Sequence, residues 1–267
     1  MRKLSASSWA AVTAAAITLC APTVASATPA ADPCEAPIAP PVVLVHDLAS
    51  DVGAWDELTA DLGASGRCAL TVTWGSPESG DVPVPVAGLR GVDAGARDLA
   101  TALEGAGIVD IVAHGVGGLV VQRYLQDHGS RSVRSLTTLG PMWDGTEIGG
   151  LAATEELSRR IGTYDLVLSL ERQLVDPVCA GCREVIHGSD LLRDLRAREL
   201  STDGVRYTDI VSTCDGFVVP ATGASMPGTA VVTLQDHEPG NCAGHFALPR
   251  DPLARALALN AVGRGGV

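Results

Sequence analysis

Residues 109–125 read VDIVAHGVGGLVVQRYL. Val109 to Ala113 is short, mostly β-branched and apolar, the composition of a buried strand. Gly115, Gly117 and Gly118 crowd the turn that follows, and apolar residues resume at helical spacing from Leu119. A strand that feeds a helix through so tight a bend presents one side chain at its apex, where an attacking group would stand. Here the apex is Gly115, which has no side chain.

Outward from that stretch, strand-like and helix-like segments alternate. PVVLVHD (41–47), ALTVTW (69–74), IVDIVAH (108–114), VRSLTTLG (133–140), RYTDIVS (206–212) and TAVVTLQD (229–236) read as strands. Helical spacing covers 55–62, 93–103, 119–126 and 251–261; the last opens with Asp251-Pro252, an N-cap followed by proline at the first helical position. Strands alternating with helices predict a mostly parallel sheet covered on both faces, an α/β fold. A Pro/Gly-rich loop spans 76–91, and residues 144–200 are charged with helical pieces, an insertion between the fourth and fifth strands. One domain is expected over 41–267, with 144–200 as a candidate lid or cap.

The chain has 267 residues and a formal net charge of −12. Arg2 and Lys3 precede an apolar, Ala-rich run from Trp9 to Leu19, and Ala25-Ser26-Ala27 offers a cleavage site before Thr28. A secretory signal over 1–27, a Pro/Ala-rich extended arm over 28–40 and a secreted protein are therefore expected. The run is too short to span a bilayer, and no transmembrane segment is expected. Loss of Arg2 and Lys3 takes the net charge to −14 and removes the chain's one lysine. So acidic a surface argues against nucleic acid and against an anionic membrane as partners. No feature calls for a particular oligomeric state.

Cys20 leaves with the signal, and Cys34, Cys68, Cys179, Cys182, Cys214 and Cys242 remain. An even count in an exported chain favours three disulfides, with 15 pairings open to six cysteines. CAGC at 179–182 has no second CxxC and no strand–CxxC–helix setting, so a local disulfide is favoured over a zinc or redox site. No metal and no organic cofactor is expected. The Gly115-Val116-Gly117 cluster lacks the third glycine of a dinucleotide fingerprint and follows the third strand rather than the first.

Ligands of open α/β sheets bind beyond the carboxyl ends of the strands. There stand His114-Gly115, then Cys214-Asp215-Gly216, then a loop that ends in His245. Nucleophile turn, acid and histidine in that order are the parts of an acyl-transfer site. The histidine takes the nucleophile's proton, the acid orients the histidine, and backbone N–H groups hold the oxyanion.

The chain resembles the secreted bacterial lipases and esterases of the α/β-hydrolase superfamily. The resemblance rests on PVVLVH (41–46) followed by Trp55, VDIVAH-x-x-GG (109–118), CxxC (179–182) followed by GSDLL (188–192), the run Tyr207 to Pro220 with Asp215 in the acid slot, and His245 before Asp251-Pro252. It implies a carboxylic-ester hydrolase scaffold with an acyl-ester or lipid ligand. It also implies Asp215 as acid, His245 as base, Gly115 at the nucleophile position, and Asp47, Leu48 and Val116 around the oxyanion. His237 competes with His245 for the base; His114, His128 and His187 are read as structural or exposed. Cys214 and Cys242 flank the acid and the histidine, so a bridge between them would tie those loops, and Cys34–Cys68 would tie the arm to the second strand.

Three positions depart from the family pattern. Gly115 replaces serine, Asp47 replaces the glycine of the oxyanion loop, and GPMWDGT (140–146) replaces GTPHHGT. Glycine keeps the strained bend without a Cβ clash. A carboxylate about 5 Å from an oxyanion would repel it by roughly 3 kcal/mol at an effective dielectric of 20. The favoured reading is a catalytically impaired relative that keeps a ligand site. The alternative is an active esterase with a recruited nucleophile such as Ser50, or with a water activated by His245.

Overall fold

Strands β1 (Val42–Val45), β2 (Ala69–Val72), β3 (Val109–His114), β4 (Val133–Leu139), β5 (Arg206–Val211) and β6 (Ala230–Thr233) form one sheet in the order β2-β1-β3-β4-β5-β6. Every pairing is parallel. The computed structural model describes residues 34, 35, 39–77 and 86–263. The expected signal, most of the expected arm and part of the Pro/Gly-rich loop lie outside the described residues.

The pleat sends alternate side chains to opposite faces, and helices cover both. Val43, Val45, Ile111 and Ala113 pack in one core with Leu99 of α2 (Val92–Ala102) and Leu119 and Val120 of α3 (Gly117–His128). Val42, Leu44 and Val112 pack in another with Leu58 and Leu62 of α1 (Asp56–Ala64) and Ala254 and Ala258 of α9 (Pro252–Gly263). Each fully buried Val or Leu contributes roughly 1.5–3 kcal/mol relative to exposure. Asp251 caps α9, its Oδ1 accepting from the Ala254 N–H at 2.8 Å.

From β1 the chain moves outward to β2 and then returns to the other side of β1 for β3. The crevice between the carboxyl ends of β1 and β3 is thus a topological switch point, where such sheets bind ligands. Val45 pairs with Ala113, so Asp47 and Gly115 leave the sheet opposite one another.

Several elements are shorter than their apolar runs. The β1–β2 ladder ends at the Val45–Val72 pair, so His46, Asp47 and Trp74 lie in loops. β6 stops at Thr233, the partner of Val211 at the end of β5; Leu234–His237 then turns into the short helix α8. Gln235 on that turn takes the Thr213 N–H on Oε1 and donates from Nε2 to the Asn241 carbonyl. Residues 144–200 hold helices α4 (Leu151–Arg160), α5 (Tyr164–Leu174), α6 (Asp176–Glu184) and α7 (Asp190–Ala197). Three disulfides join Cys34 to Cys68, Cys179 to Cys182 and Cys214 to Cys242. No described helix is long and apolar enough to cross a membrane.

Candidate active site

Gly115 follows β3 directly, with a φ of 50° that favours glycine. The loop after β5 carries Asp215, and the loop after α8 carries His245. Asp215 Oδ1 accepts the N–H groups of Phe217 and Val218 at 2.8 and 3.0 Å, which aims Oδ2 at His245 Nδ1, 2.7 Å away. Gly140, immediately after β4, leaves room for this pair: a Cβ there would stand 2.7 Å from Asp215 Oδ2 and 3.2 Å from His245 Nδ1. The Cys214–Cys242 bridge ties the two loops beside the pair.

Asp47 completes the cluster from the β1 side. Its Oδ2 lies 3.0 Å from His245 Nε2, and its Oδ1 accepts the Val116 N–H at 2.7 Å. Both nitrogens of His245 therefore face carboxylate acceptors, which requires a proton on each. Burial alone would lower the His245 pKa; the hydrogen bonds and charges of Asp215 and Asp47 outweigh it and raise it to about 9. Burial alone would raise both carboxyls, but His114 and His245 hold Asp47 below its ordinary value and His245 holds Asp215 below its own. The three groups are buried and together carry one net negative charge.

His46 and His114 support the cluster from below. His46 Nδ1–H donates to the Asp47 carbonyl at 2.7 Å, its ring stacks on Trp74, and Trp74 Nε1 donates back to the His46 carbonyl at 2.8 Å. Burial lowers the pKa of His46. His114 Nε2–H donates to the His245 carbonyl at 3.0 Å, and burial lowers its pKa to about 4. His114, expected to be structural or exposed, is buried directly against His245, with ring centroids 4.7 Å apart. The supporting role of His46 and Trp74 was missed, although both belong to the strand motifs.

The carboxylate of Asp47 takes up the space a side chain at 115 would need. A Cβ built on Gly115 overlaps Asp47 Oδ1 and Cγ and lies 2.8 Å from Oδ2. The Val116 N–H, expected to face an oxyanion, is held by the same carboxylate. Leu48, expected in the same loop, lines a cavity of about 340 Å³ beside the cluster. Its walls include Met142, Ile148, Val185 and Phe217, and Asp47 and His245 are its ionisable lining residues among those described. Phe217 also stacks on the His245 ring at 5.5 Å. A second cavity, of about 390 Å³, shares no lining residue with it and is walled by charges such as Arg159, which pairs with Glu155 and Asp190.

Asp47, His114 and His245 offer metal-ligand atoms within 4.8 Å of one another. Both ring nitrogens of His245 and Nε2 of His114 are already engaged in hydrogen bonds, so the set stands as a hydrogen-bonded acid–base cluster. The other expectations are placed as follows. His237 is exposed at the end of α8, and His128 is exposed at the end of α3. His187 is half-buried, with Nδ1 at 2.9 Å from the Asp144 carbonyl. Ser50 pairs through its backbone with Ala87.

Solved structures share this architecture. Aspergillus fumigatus lipase B superposes with a TM-score of 0.62 at 20% identity, over 85% of this chain and 53% of that one. An extracellular α/β-hydrolase from a Paenibacillus species superposes at 0.53 and 13% identity, over 82% and 98% of the two chains. The fold is that of the α/β-hydrolases. The mature Bacillus licheniformis lipase BlEst2 superposes at 0.57 and 15% identity, over 85% of this chain and 93% of that one. This chain spans about half the length of lipase B and nearly all of BlEst2. No protein-family model and no curated protein matches the sequence.

Proposed function

We propose that the protein is an exported α/β-hydrolase of the lipase/esterase type in which the serine route to ester hydrolysis is closed, and which binds an acyl ester or lipid in its apolar cavity. The observation that carries this reading is the seat of the Asp47 carboxylate, in the space a side chain at 115 would need and on the Val116 N–H. Acyl transfer needs an attacking atom and free donors for the oxyanion; one carboxylate stands in the place of both.

The proposed roles follow from this. Asp215 and His245 are the former acid and base, Gly115 is the vacated nucleophile position, and Asp47, Leu48 and Val116 form the former oxyanion loop. The segment 144–200 acts as the cap, supplying Thr146, Ile148, Val185 and Ile186 to the cavity. The domain runs over 41–267, behind a cleaved signal at 1–27 and an arm at 28–40. Three disulfides support an oxidising destination. Lipase and esterase neighbours of the same fold support the ligand class. A water activated by His245, or Ser50 as nucleophile, is disfavoured because carboxylates engage both nitrogens of His245.

The test pairs turnover with binding. Purified protein is expected to leave p-nitrophenyl butyrate and octanoate intact while binding an environment-sensitive fluorescent fatty-acyl ester. Val185→Trp, which fills the cavity, is expected to abolish that binding. Ester turnover lost in His245→Ala, or labelling by a serine-directed phosphonate, would overturn the reading.

A further inference from the structure

We propose that Asp47 is itself a nucleophile, for an apolar epoxide seated in the cavity of about 340 Å³ that Asp47 and His245 line. This goes beyond ligand binding, and it rests on the assignment of that cavity as the ligand site. The argument starts from position. An oxygen does stand at the head of the bend, 3.0 Å from His245 Nε2, but it belongs to a carboxylate reaching in from the β1 loop. Carboxylates are competent nucleophiles when an acid–base partner stands beside them.

The hydrogen bonds select the electrophile. Attack on an acyl carbon would raise a new oxyanion, yet the Val116 N–H is already held by Asp47 Oδ1. Attack on a saturated carbon raises no oxyanion at that carbon. Oδ2 forms the new C–O bond while the epoxide C–O bond breaks, and the alkoxide takes the Nε2 proton of the His245 imidazolium. Asp47 is now a neutral ester, and His245 is a neutral base still oriented by Asp215 at 2.7 Å. Water then attacks Asp47 Cγ and gives its proton to His245. The developing negative charge falls on Oδ1, the oxygen that already accepts the Val116 N–H. Collapse expels the diol oxygen with a proton from His245, and Asp47 and His245 return to the ion pair. The sum is epoxide plus water to diol, with no other reactant.

The geometry also accounts for two departures together. Glycine at 115 makes room for the carboxylate, and aspartate at 47 supplies it. The apolar walls and the single polar end suit an epoxide with a hydrocarbon body.

The experiment exposes the full mature chain to two alkylating probes. Hexyl bromide needs no proton donor for its leaving group, so His245→Gln is expected to accumulate one hexyl group on the peptide bearing Asp47, and Asp47→Asn none. A single turnover of styrene oxide by the unaltered protein in heavy-oxygen water is expected to leave the label in the Asp47 carboxylate rather than in the diol. Label found only in the diol, or styrene oxide left unopened, overturns the proposal even where His245→Gln does not fold. An alkyl group on any residue other than Asp47 overturns it as well. Fluorescent acyl-ester binding to the same preparation keeps the cases apart: binding without adduct sinks the nucleophile alone, and no binding sinks the ligand-site reading.

Discussion

Asp47 and Gly115 occupy one volume: the carboxylate of the first lies where a Cβ on the second would be. The two residues leave the carboxyl ends of adjacent parallel strands, so position 115 has no room for a side chain while Asp47 keeps its place. Gly115→Ser alone therefore meets both a clash with Asp47 and a positive φ. It is expected to cost about 2–4 kcal/mol in denaturant unfolding and to give no esterase.

Asp47→Gly with Gly115→Ser removes the clash and frees the Val116 N–H. Ester hydrolysis by this double variant is expected to exceed that of the unaltered protein by on the order of a thousandfold, since a nucleophile, base, acid and oxyanion donor then coexist. Hydrolysis of p-nitrophenyl butyrate by the two single variants and the double variant measures the coupling.

His245, raised to about 9 when folded, contributes stability that is complete below its ordinary value of 6.5 and is lost as pH rises through about 9. The difference corresponds to on the order of 3 kcal/mol. Asp47 and Asp215 are depressed, so their contribution is present above the ordinary carboxyl value of 3.8 and is lost as pH falls through their folded values. Urea unfolding at about pH 6 and about pH 10 should show the alkaline loss in the unaltered protein and a much flatter response in His245→Gln.

The bridge between Cys214 and Cys242 closes a loop across a separation of 28 residues that carries the partner strand β6 as well as the Asp215 loop. Cys214→Ser with Cys242→Ser should lower unfolding free energy by about 3 kcal/mol. Differential scanning calorimetry reads the loss as a lower melting temperature.

Asp110, near the start of β3, is fully buried and accepts from Arg67 Nη2 at 2.8 Å, Arg134 Nε at 2.9 Å and Ser135 Oγ at 2.5 Å. Asp110→Ala removes the buried acceptor shared by two arginines and a serine, while Arg67 keeps the Pro40 and Val262 carbonyls, and should cost about 1–3 kcal/mol. The cluster sits at the end of β3 away from Gly115, so acyl-ester binding at saturating ligand should survive wherever the variant folds.

Much of the fold was legible because its signals are local. Val42–Val45 and Val109–His114 announce buried strands by composition, and the glycines at 115–118 announce the bend. Strand ends were less legible. His46 and Trp74 look like continuations of strands, but parallel pairing stops where the partner strand leaves, and no local residue records that. The same holds for Leu234–His237, which coils once β5 has no further residue to pair. The helices of 144–200 were foreseen as pieces, while their place over the cavity depends on contacts such as Thr146 to Ile186.

The amino-acid order alone determined that six apolar runs would make a covered parallel sheet, that Gly115 brings no side chain to the bend, and that Asp215 and His245 would follow strand ends. Only the tertiary structure decided where the Asp47 side chain points. Its contact with His245 spans 198 positions, and its contact with Val116 spans 69. A side chain's direction across such distances is set by the register of packed strands and the space left by a neighbour, and neither quantity is carried by nearby residues.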